Sequence, residues 1–266
     1  MAKTILITGA SSGLGQGVAK YLAEKGHDVY GTSRRTLPAQ NKVKMLSMDV
    51  NDSESIKVAL QKVLDESGKI DVLINNAGLG LAGVAEHLLL DDLQKVFSTN
   101  VLGLLDVCQQ TLPVMREQGS GLIINISSIG SEMGLPYRGG YSACKAAVDR
   151  LSEAMRMEVK QFGIKVCVVQ PGDIQSNINA NRVTSPVPEG SPYKEKFDIA
   201  HKGMNEGVSH GLDPFTFGPV IEKIIRKKNP KVYYRVGKAT EKLSVMIKKL
   251  LPGKQFEKIL MKHFDL

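Results

Sequence analysis

Short apolar runs alternate with helix-periodic stretches along most of this chain, and that alternation constrains the fold more than any other feature. Ile5-Leu-Ile-Thr8 reads as a buried strand, and the stretch after it carries Leu14, Val18 and Leu22 at helical spacing before a stop at Gly26. Strands are predicted at Val29–Thr32, Val43–Met48 and Val72–Ile74, with a helix over about Ser53–Ser67 between the last two. One long helix is predicted from Asp91 to about Glu117, then a strand at Leu122–Ile126, a helix at Tyr141–Phe162 and a strand at Val166–Val169. Apolar strands separated by helices require parallel crossovers with both sheet faces covered. The expected fold class is α/β, a Rossmann-type doubly wound parallel sheet in a single domain. Beyond Pro171 the pattern breaks. Residues 175–219 are rich in proline, show little periodicity and are expected to form a lid. A helix at Val220–Lys228, a strand at Val232–Val236 and two short amphipathic stretches close the chain. The expected division is a catalytic body over 1–237, with the lid at 175–219, and a C-terminal extension over 238–266.

Composition narrows the class. With 266 residues, 42% of them hydrophobic and 23% charged, the chain can bury a full core. No apolar run approaches the ~18 residues a membrane span needs. The first residues run directly into a strand, so no signal peptide is expected. Cys108, Cys144 and Cys167 have no metal-ligand spacing and read as reduced intracellular thiols, and no metal site is expected. Together these point to a cytoplasmic protein. The formal charge of +8 is uneven: residues 220–266 carry 13 basic and 4 acidic side chains, while the rest of the chain is near neutral.

Thr8-Gly-Ala-Ser-Ser-Gly-Leu-Gly15 sits where the first strand meets the first helix, the place for a phosphate-binding turn. Gly9, Gly13 and Gly15 let the backbone approach a pyrophosphate, and Ser11, Ser12 and Leu14 complete the turn. A tight strand–helix turn with no ligand is the competing explanation. The end of the second strand, where a carboxylate would meet a free ribose 2′-hydroxyl, instead reads Ser33-Arg34-Arg35. Guanidinium groups suit a 2′-phosphate, so the expected cofactor is NADP(H); a solvated surface arginine pair is the alternative.

Tyr-x3-Lys occurs three times, at Tyr21/Lys25, Tyr141/Lys145 and Tyr234/Lys238. Chance alone gives about 0.7 matches at this composition, so the pattern means little by itself. Only Tyr141 opens a helix shortly after a strand that ends in serines, Ile126-Ser-Ser-Ile129. With Asp49 in Met-Asp-Val, Asn75-Asn-Ala-Gly78, Asn100 in Asn-Val-Leu-Gly, Ser128 thirteen residues before Tyr141, and Pro171-Gly172, the ordered set resembles the short-chain dehydrogenase/reductase superfamily over about residues 3–237. Asn76-Ala-Gly-Leu-Gly80 and Gly134-Leu-Pro-Tyr137 are most similar to the branch with 17β-hydroxysteroid and retinol dehydrogenases.

The resemblance implies carbonyl–alcohol interconversion by hydride transfer. Tyr141 is the implied general acid/base, and Lys145, one helical turn on, favours its phenolate. Ser128 polarises the carbonyl oxygen, and Asn100 holds a water that links Lys145 to solvent. It also implies Asp49 and Val50 near the adenine, Asn76, Ala77 and Gly78 near the ribose, and Pro171, Gly172 and Ile174 near the carboxamide. Ser176 stands where the family carries threonine. The expected substrate-side walls in such a layout are Met133, Leu135 and Tyr137 with Tyr193, Phe197 and Met204 of the lid. No arginine pair able to clamp a dianion is evident, so a bulky apolar ketone, aldehyde or alcohol is expected. A sugar-nucleotide epimerase would need a longer chain and a different glycine spacing. A non-catalytic NADP(H)-binding sensor or scaffold would have no need to keep Ser128, Tyr141 and Lys145 together. The family pairs the Asp91–Glu117 and Tyr141–Phe162 helices between subunits, which implies a homodimer or homotetramer.

The extension carries Leu243, Met246, Ile247, Leu250 and Leu251 on one helical face, with Lys242, Lys248 and Lys249 largely off it. Phe256, Ile259, Leu260 and Phe264 repeat the pattern. Docking of this face on the body or on a second subunit is expected, with peripheral contact to an anionic membrane as the alternative. No nucleic-acid recognition motif is present, and no nucleic-acid partner is expected.

Overall fold

A computed structural model of the chain describes residues 1–175, 181–264 and 266. Seven parallel strands form one sheet in the order β3-β2-β1-β4-β6-β7-β9. They are β1 (Thr4–Ile7), β2 (Asp28–Ser33), β3 (Lys44–Ser47), β4 (Val72–Asn75), β6 (Gly121–Ile126), β7 (Ile164–Pro171) and β9 (Tyr233–Val236). A separate two-stranded parallel pair joins β5 (Leu81–Ala82) to β8 (Val183–Thr184). β1 lies between β2 and β4, so the chain leaves it in one direction and later returns on its other side. A crevice opens at such a reversal, at the C-terminal ends of the strands.

Every side chain of β1 and β4 is buried, as a sheet covered on both faces requires. Alternate residues enter opposite cores. Leu6, Leu73, Ile123 and Val166 face one, and Ile5, Ile7, Val72, Ile74 and Ile124 face the other. The first core is closed by α2 (Ser53–Ser67), α4 (Leu104–Glu117) and α5 (Gly139–Glu158), and the second by α1 (Gly13–Glu24) and α7 (Phe217–Ile225). Helix ends follow local chemistry. Asp52 caps α2 by accepting from the N–H groups of Glu54 and Ser55, and Gly68 ends that helix at φ 65°. The thiols of Cys108, Cys144 and Cys167 are buried and free, and burial pushes those of Cys108 and Cys167 up to about 12.

Two elements depart from the sequence expectation. The long helix of Asp91–Glu117 is interrupted: α3 (Leu90–Phe97) passes into a π-helical segment, Ser98–Gly103, before α4 begins. The wide turn seats Gly103 where a Cβ would lie 2.6 Å from the Val50 carbonyl oxygen, and it carries the buried Asn100. The proline-rich stretch is also more ordered than expected. It contains β8 and a 16-residue helix, α6 (Lys194–Ser209), which buries Phe197, Ala200, Met204 and Val208. These four residues stand at helical spacing, but prolines flank the helix on both sides and mask it in the sequence.

The C-terminal helices α8 (Ala239–Leu250) and α9 (Gly253–His263) pack on the body. Val245 and Phe256 join Ile129 and Met133 in a small core of their own. Among the described residues, no helix is long and apolar enough to cross a membrane.

Candidate active site

The crevice at the strand ends is a cleft of ≈ 1290 Å³. The end of it formed by the glycine-rich turn is built largely from main chain. Gly9 and Gly13 have φ of 66° and 53°, where an L side chain is strained. A Cβ on Gly15 would sit 2.4 Å from both the Gly9 carbonyl oxygen and Asn76 Nδ2. The turn is stitched to β4: Asn76 Nδ2 donates to the carbonyls of Thr8 and Gly9 at 3.0 and 2.9 Å, and the Asn76 and Ala77 N–H groups donate to Thr8 Oγ1. The Asn76 amide nitrogen is thereby committed to holding the turn.

Ser12 precedes the first turn of α1 and makes no side-chain cap, so the helix start beside the cleft has no side-chain acceptor from Ser12, an arrangement suited to an anion. Arg34 and Arg35 are exposed at the end of β2 and line the same cleft. Neither has an ion-pair partner among the described residues. Ser33 Oγ accepts from the Arg35 N–H and shapes that corner. Asp49, Val50, Gly78, Pro171, Gly172 and Ile174 also line the cleft, as do Ser11, Leu14 and Ala77. Ser176 lies outside the described residues.

Further in, α5 presents Tyr141 and Lys145 on one face, both buried. Lys145 Nζ donates to the Ile126 carbonyl at 3.0 Å and lies 6.0 Å from the Tyr141 ring centre. Ser128 Oγ accepts from the Gly130 N–H at 3.0 Å, which leaves the hydroxyl proton free to donate into the cleft. Asn100 uses both ends of its side chain on Leu79: Oδ1 accepts from the Leu79 N–H at 2.7 Å, and Nδ2 donates to the Leu79 carbonyl at 2.9 Å. Any role in holding a water toward Lys145 therefore falls to its main chain. Gly78 is the meeting point, since a Cβ there would lie 3.0 Å from Asn100 Oδ1 and 3.7 Å from Lys145 Nζ.

Beneath Ser128 runs a buried polar network. Ser131 Oγ donates to the Asp149 carboxylate at 2.6 Å, and Gln170 Nε2 donates to the same carboxylate at 2.9 Å. Burial outweighs those bonds and holds the Asp149 carboxyl above its usual range.

The substrate-facing residues divide. Met133 and Leu135 line the cleft, but Tyr137 and Tyr193 do not. Tyr137 sits at φ 58°, and its ring turns onto Phe197 at 5.5 Å. Tyr193 packs edge-on against His87. Phe197 and Met204 instead pack with Ala82 and Val84 in a small separate core, and Val208 reaches the cleft in their place.

Contrary to the sequence expectation, the cleft holds an arginine pair beyond Arg34 and Arg35. Arg138 and Arg182 both line the cleft. The Arg138 guanidinium lies 5.3 Å from the Tyr141 ring centre. Arg182 donates to Asn205 Oδ1, and its stem runs along Gly80. Burial, and then the charge of Arg138, lower the Arg182 pKa against the opposing pull of Tyr141 and Asp173. Forty-four positions separate these arginines; the β5–β8 pairing brings them together, and no sequence spacing could show it.

Leu243, Ile247, Phe256, Ile259, Leu260 and Phe264 of the C-terminal helices supply an apolar wall. Glu241 of α8 reaches back into the body. Its Oε1 accepts from the Asp173 N–H at 2.9 Å and its Oε2 from the Lys238 N–H at 2.6 Å, and a Cβ on Gly172 would fall 2.0 Å from Oε2. The extension thus pins the Pro171–Asp173 loop.

A family model described as short chain dehydrogenase matches residues 3–186. A 3-ketodihydrosphingosine reductase of Bacteroides thetaiotaomicron is 42% identical over 254 residues, spanning 95% of this chain and 94% of its own. The ketoacyl reductase HetN of Nostoc is 35% identical over 196 residues, 69% of this chain and 68% of its own. The crystal structure of a short-chain dehydrogenase from Streptomyces avermitilis superposes with a TM-score of 0.82 at 32% identity, covering 97% of this chain and 98% of the other.

Proposed function

The chain belongs to the short-chain dehydrogenase family, whose members are nicotinamide-nucleotide oxidoreductases acting on carbonyls and alcohols, and from that premise we propose that it is an NADP(H)-dependent reductase of a bulky, amphiphilic ketone, with Tyr141 as general acid. The convergence of Ser128, Tyr141 and Lys145 on the cleft that also holds the glycine-rich turn carries this reading. The same convergence disfavours a sensor or scaffold.

The residues present fit a dinucleotide. The turn has no room for a Cβ at Gly15, α1 offers its N-terminus, and Arg34 and Arg35 suit a 2′-phosphate. When bound, the reduced nicotinamide supplies hydride to the carbonyl carbon. Ser128 donates its hydroxyl proton to the substrate oxygen and polarises it. Tyr141 delivers the proton that converts the developing alkoxide to alcohol, and the Lys145 ammonium favours the phenolate left behind. Asn100 fixes Leu79 and so the wall beside Lys145.

Substrate class follows from the two walls. The apolar wall from α8 and α9 suits a long hydrocarbon chain, and Arg138 and Arg182 beside Tyr141 suit a polar head with oxygen acceptors. A long-chain keto lipid of the kind named for the Bacteroides relative combines both features. Exposed Leu102 on the π segment before α4 and Met157 on α5 support pairing of these elements between copies, in a homodimer or homotetramer.

A panel of long-chain, steroidal, retinoid and small carbonyls, including 3-ketodihydrosphingosine and a 3-oxoacyl thioester, tests the reading by nucleotide absorbance with NADPH and NADH. The expected result is turnover of long-chain ketones with NADPH favoured by about tenfold or more. A preference for NADH, or for small ketones, would overturn the corresponding part.

A further inference from the structure

The apolar face that the sequence assigns to α8 packs only in part: Ile247 and Leu251 lie against the small core, and the rest of the face does not. Val245 is 1% exposed and holds the helix to the body, whereas Leu243, Met246 and Leu250 stand 50%, 59% and 79% exposed in one stripe. On α9, Ile259 is 46% exposed. Leu243 and Ile259 also line the cleft, so the exposed stripe runs to the cleft mouth. Around it Lys242, Lys254, Lys258 and Lys262 are exposed and make no ion pair among the described residues. A soluble surface has no reason to arrange apolar side chains and unpaired lysines in this way unless something covers them.

We propose that this stripe docks on an anionic bilayer, with the helix pair lying in the interface and the cleft mouth facing the lipid. The inference rests on the reading of the substrate as a lipophilic ketone, which would then pass from membrane to cleft without crossing water. Charge complementarity selects the bilayer over a second copy of the chain. A two-fold contact through this stripe would bring two lysine-rich surfaces together, with Glu257 of each α9 the one exposed carboxylate among the four lysines, whereas anionic headgroups neutralise them. Apolar insertion and lysine attraction act together, as in other interfacial amphipathic helices.

Co-sedimentation of the full-length protein with vesicles, paired with gel filtration, tests the docking. Wild type is expected to bind vesicles containing about one-third phosphatidylserine, to leave pure phosphatidylcholine vesicles unbound, and to be released by about 0.5 M salt. The double variant Met246→Gln/Leu250→Gln, and separately Lys242→Gln/Lys254→Gln/Lys258→Gln/Lys262→Gln, should each lower binding by about tenfold or more. None of these side chains lines the cleft, so reduction of a water-soluble ketone should persist in both. Equal binding to neutral and anionic vesicles, or binding that both variants retain, would sink the proposal. So would an oligomer that dissociates on Met246→Gln/Leu250→Gln, because a second copy would then be the occupant. Vesicle binding without turnover of any lipophilic ketone would remove the substrate reading and leave the docking surface standing; turnover in detergent micelles without vesicle binding would do the reverse.

Discussion

At the glycine-turn end of the cleft the floor is main chain with Arg34 and Arg35 at its edge, and at the opposite end the walls are side chains from distant segments. Gly9, Gly13 and Gly15 are required because a Cβ would collide or strain, and Asn76 ties the turn to β4 through backbone carbonyls. Arg138, Arg182, Val208 and the apolar residues of α8 and α9 meet only because the sheet, the β8–α6 segment and the C-terminal helices fold over one another. A main-chain surface fits a ligand part that never changes, such as a pyrophosphate. A side-chain surface can be altered one residue at a time, which suits the part of the reaction that differs between relatives.

Tyr141→Phe, where the two ends meet, should lower kcat/KM by about 10³-fold or more while fluorescence-monitored NADPH binding stays near wild type; substantial residual turnover would remove Tyr141 from the proton path. Gly15→Ala tests the main-chain end. Its Cβ would press on the Gly9 carbonyl and the Asn76 amide, and nucleotide affinity should fall on the order of 100-fold, measured by titration. Glu241→Gln tests the link between the ends. It keeps the shape but loses one of two charge-assisted bonds, so KM for NADPH should rise about tenfold with kcat changing less.

The smallest effect concerns Glu222 of α7, which ties the C-terminal part to the first βα unit through His27 at 2.8 Å. Burial pushes the Glu222 carboxyl up, but Arg226 and His27 outweigh it and hold its pKa below the ordinary 4.5. A depressed folded-state value contributes stability above 4.5 that is lost as pH falls through the folded value. Thermal unfolding should therefore be acid-sensitive below about pH 4.5. Glu222→Gln, which retains an acceptor, should flatten that dependence and cost about 1 kcal/mol near neutrality, a shift of a few °C.

Much of the nucleotide end was legible in the sequence because its chemistry is local. Thr8–Gly15 lies at one strand–helix junction, Arg34 and Arg35 lie at one strand end, and Tyr141 and Lys145 share one helical turn. Three features were not legible. The π segment at Asn100 depends on Val50 and Leu79, which are remote in sequence. The turning of Tyr137 away from the cleft follows from its positive φ and from Phe197 on the lid. The Arg138–Arg182 pair depends on β5 meeting β8.

The positive charge divides in the same way. Its confinement to the C-terminal segment was a property of the sequence, as were the apolar alternation, the glycine turn and the order of the site motifs, because each rests on residues a few positions apart. Which face of α8 is buried, which arginines share the cleft, and how Glu241 grips the Pro171–Asp173 loop were decided only by the tertiary structure. Helical periodicity marks an apolar stripe without saying what lies against it: Val245, with Ile247 and Leu251, makes the packing contact, while Leu243, Met246 and Leu250 stay exposed.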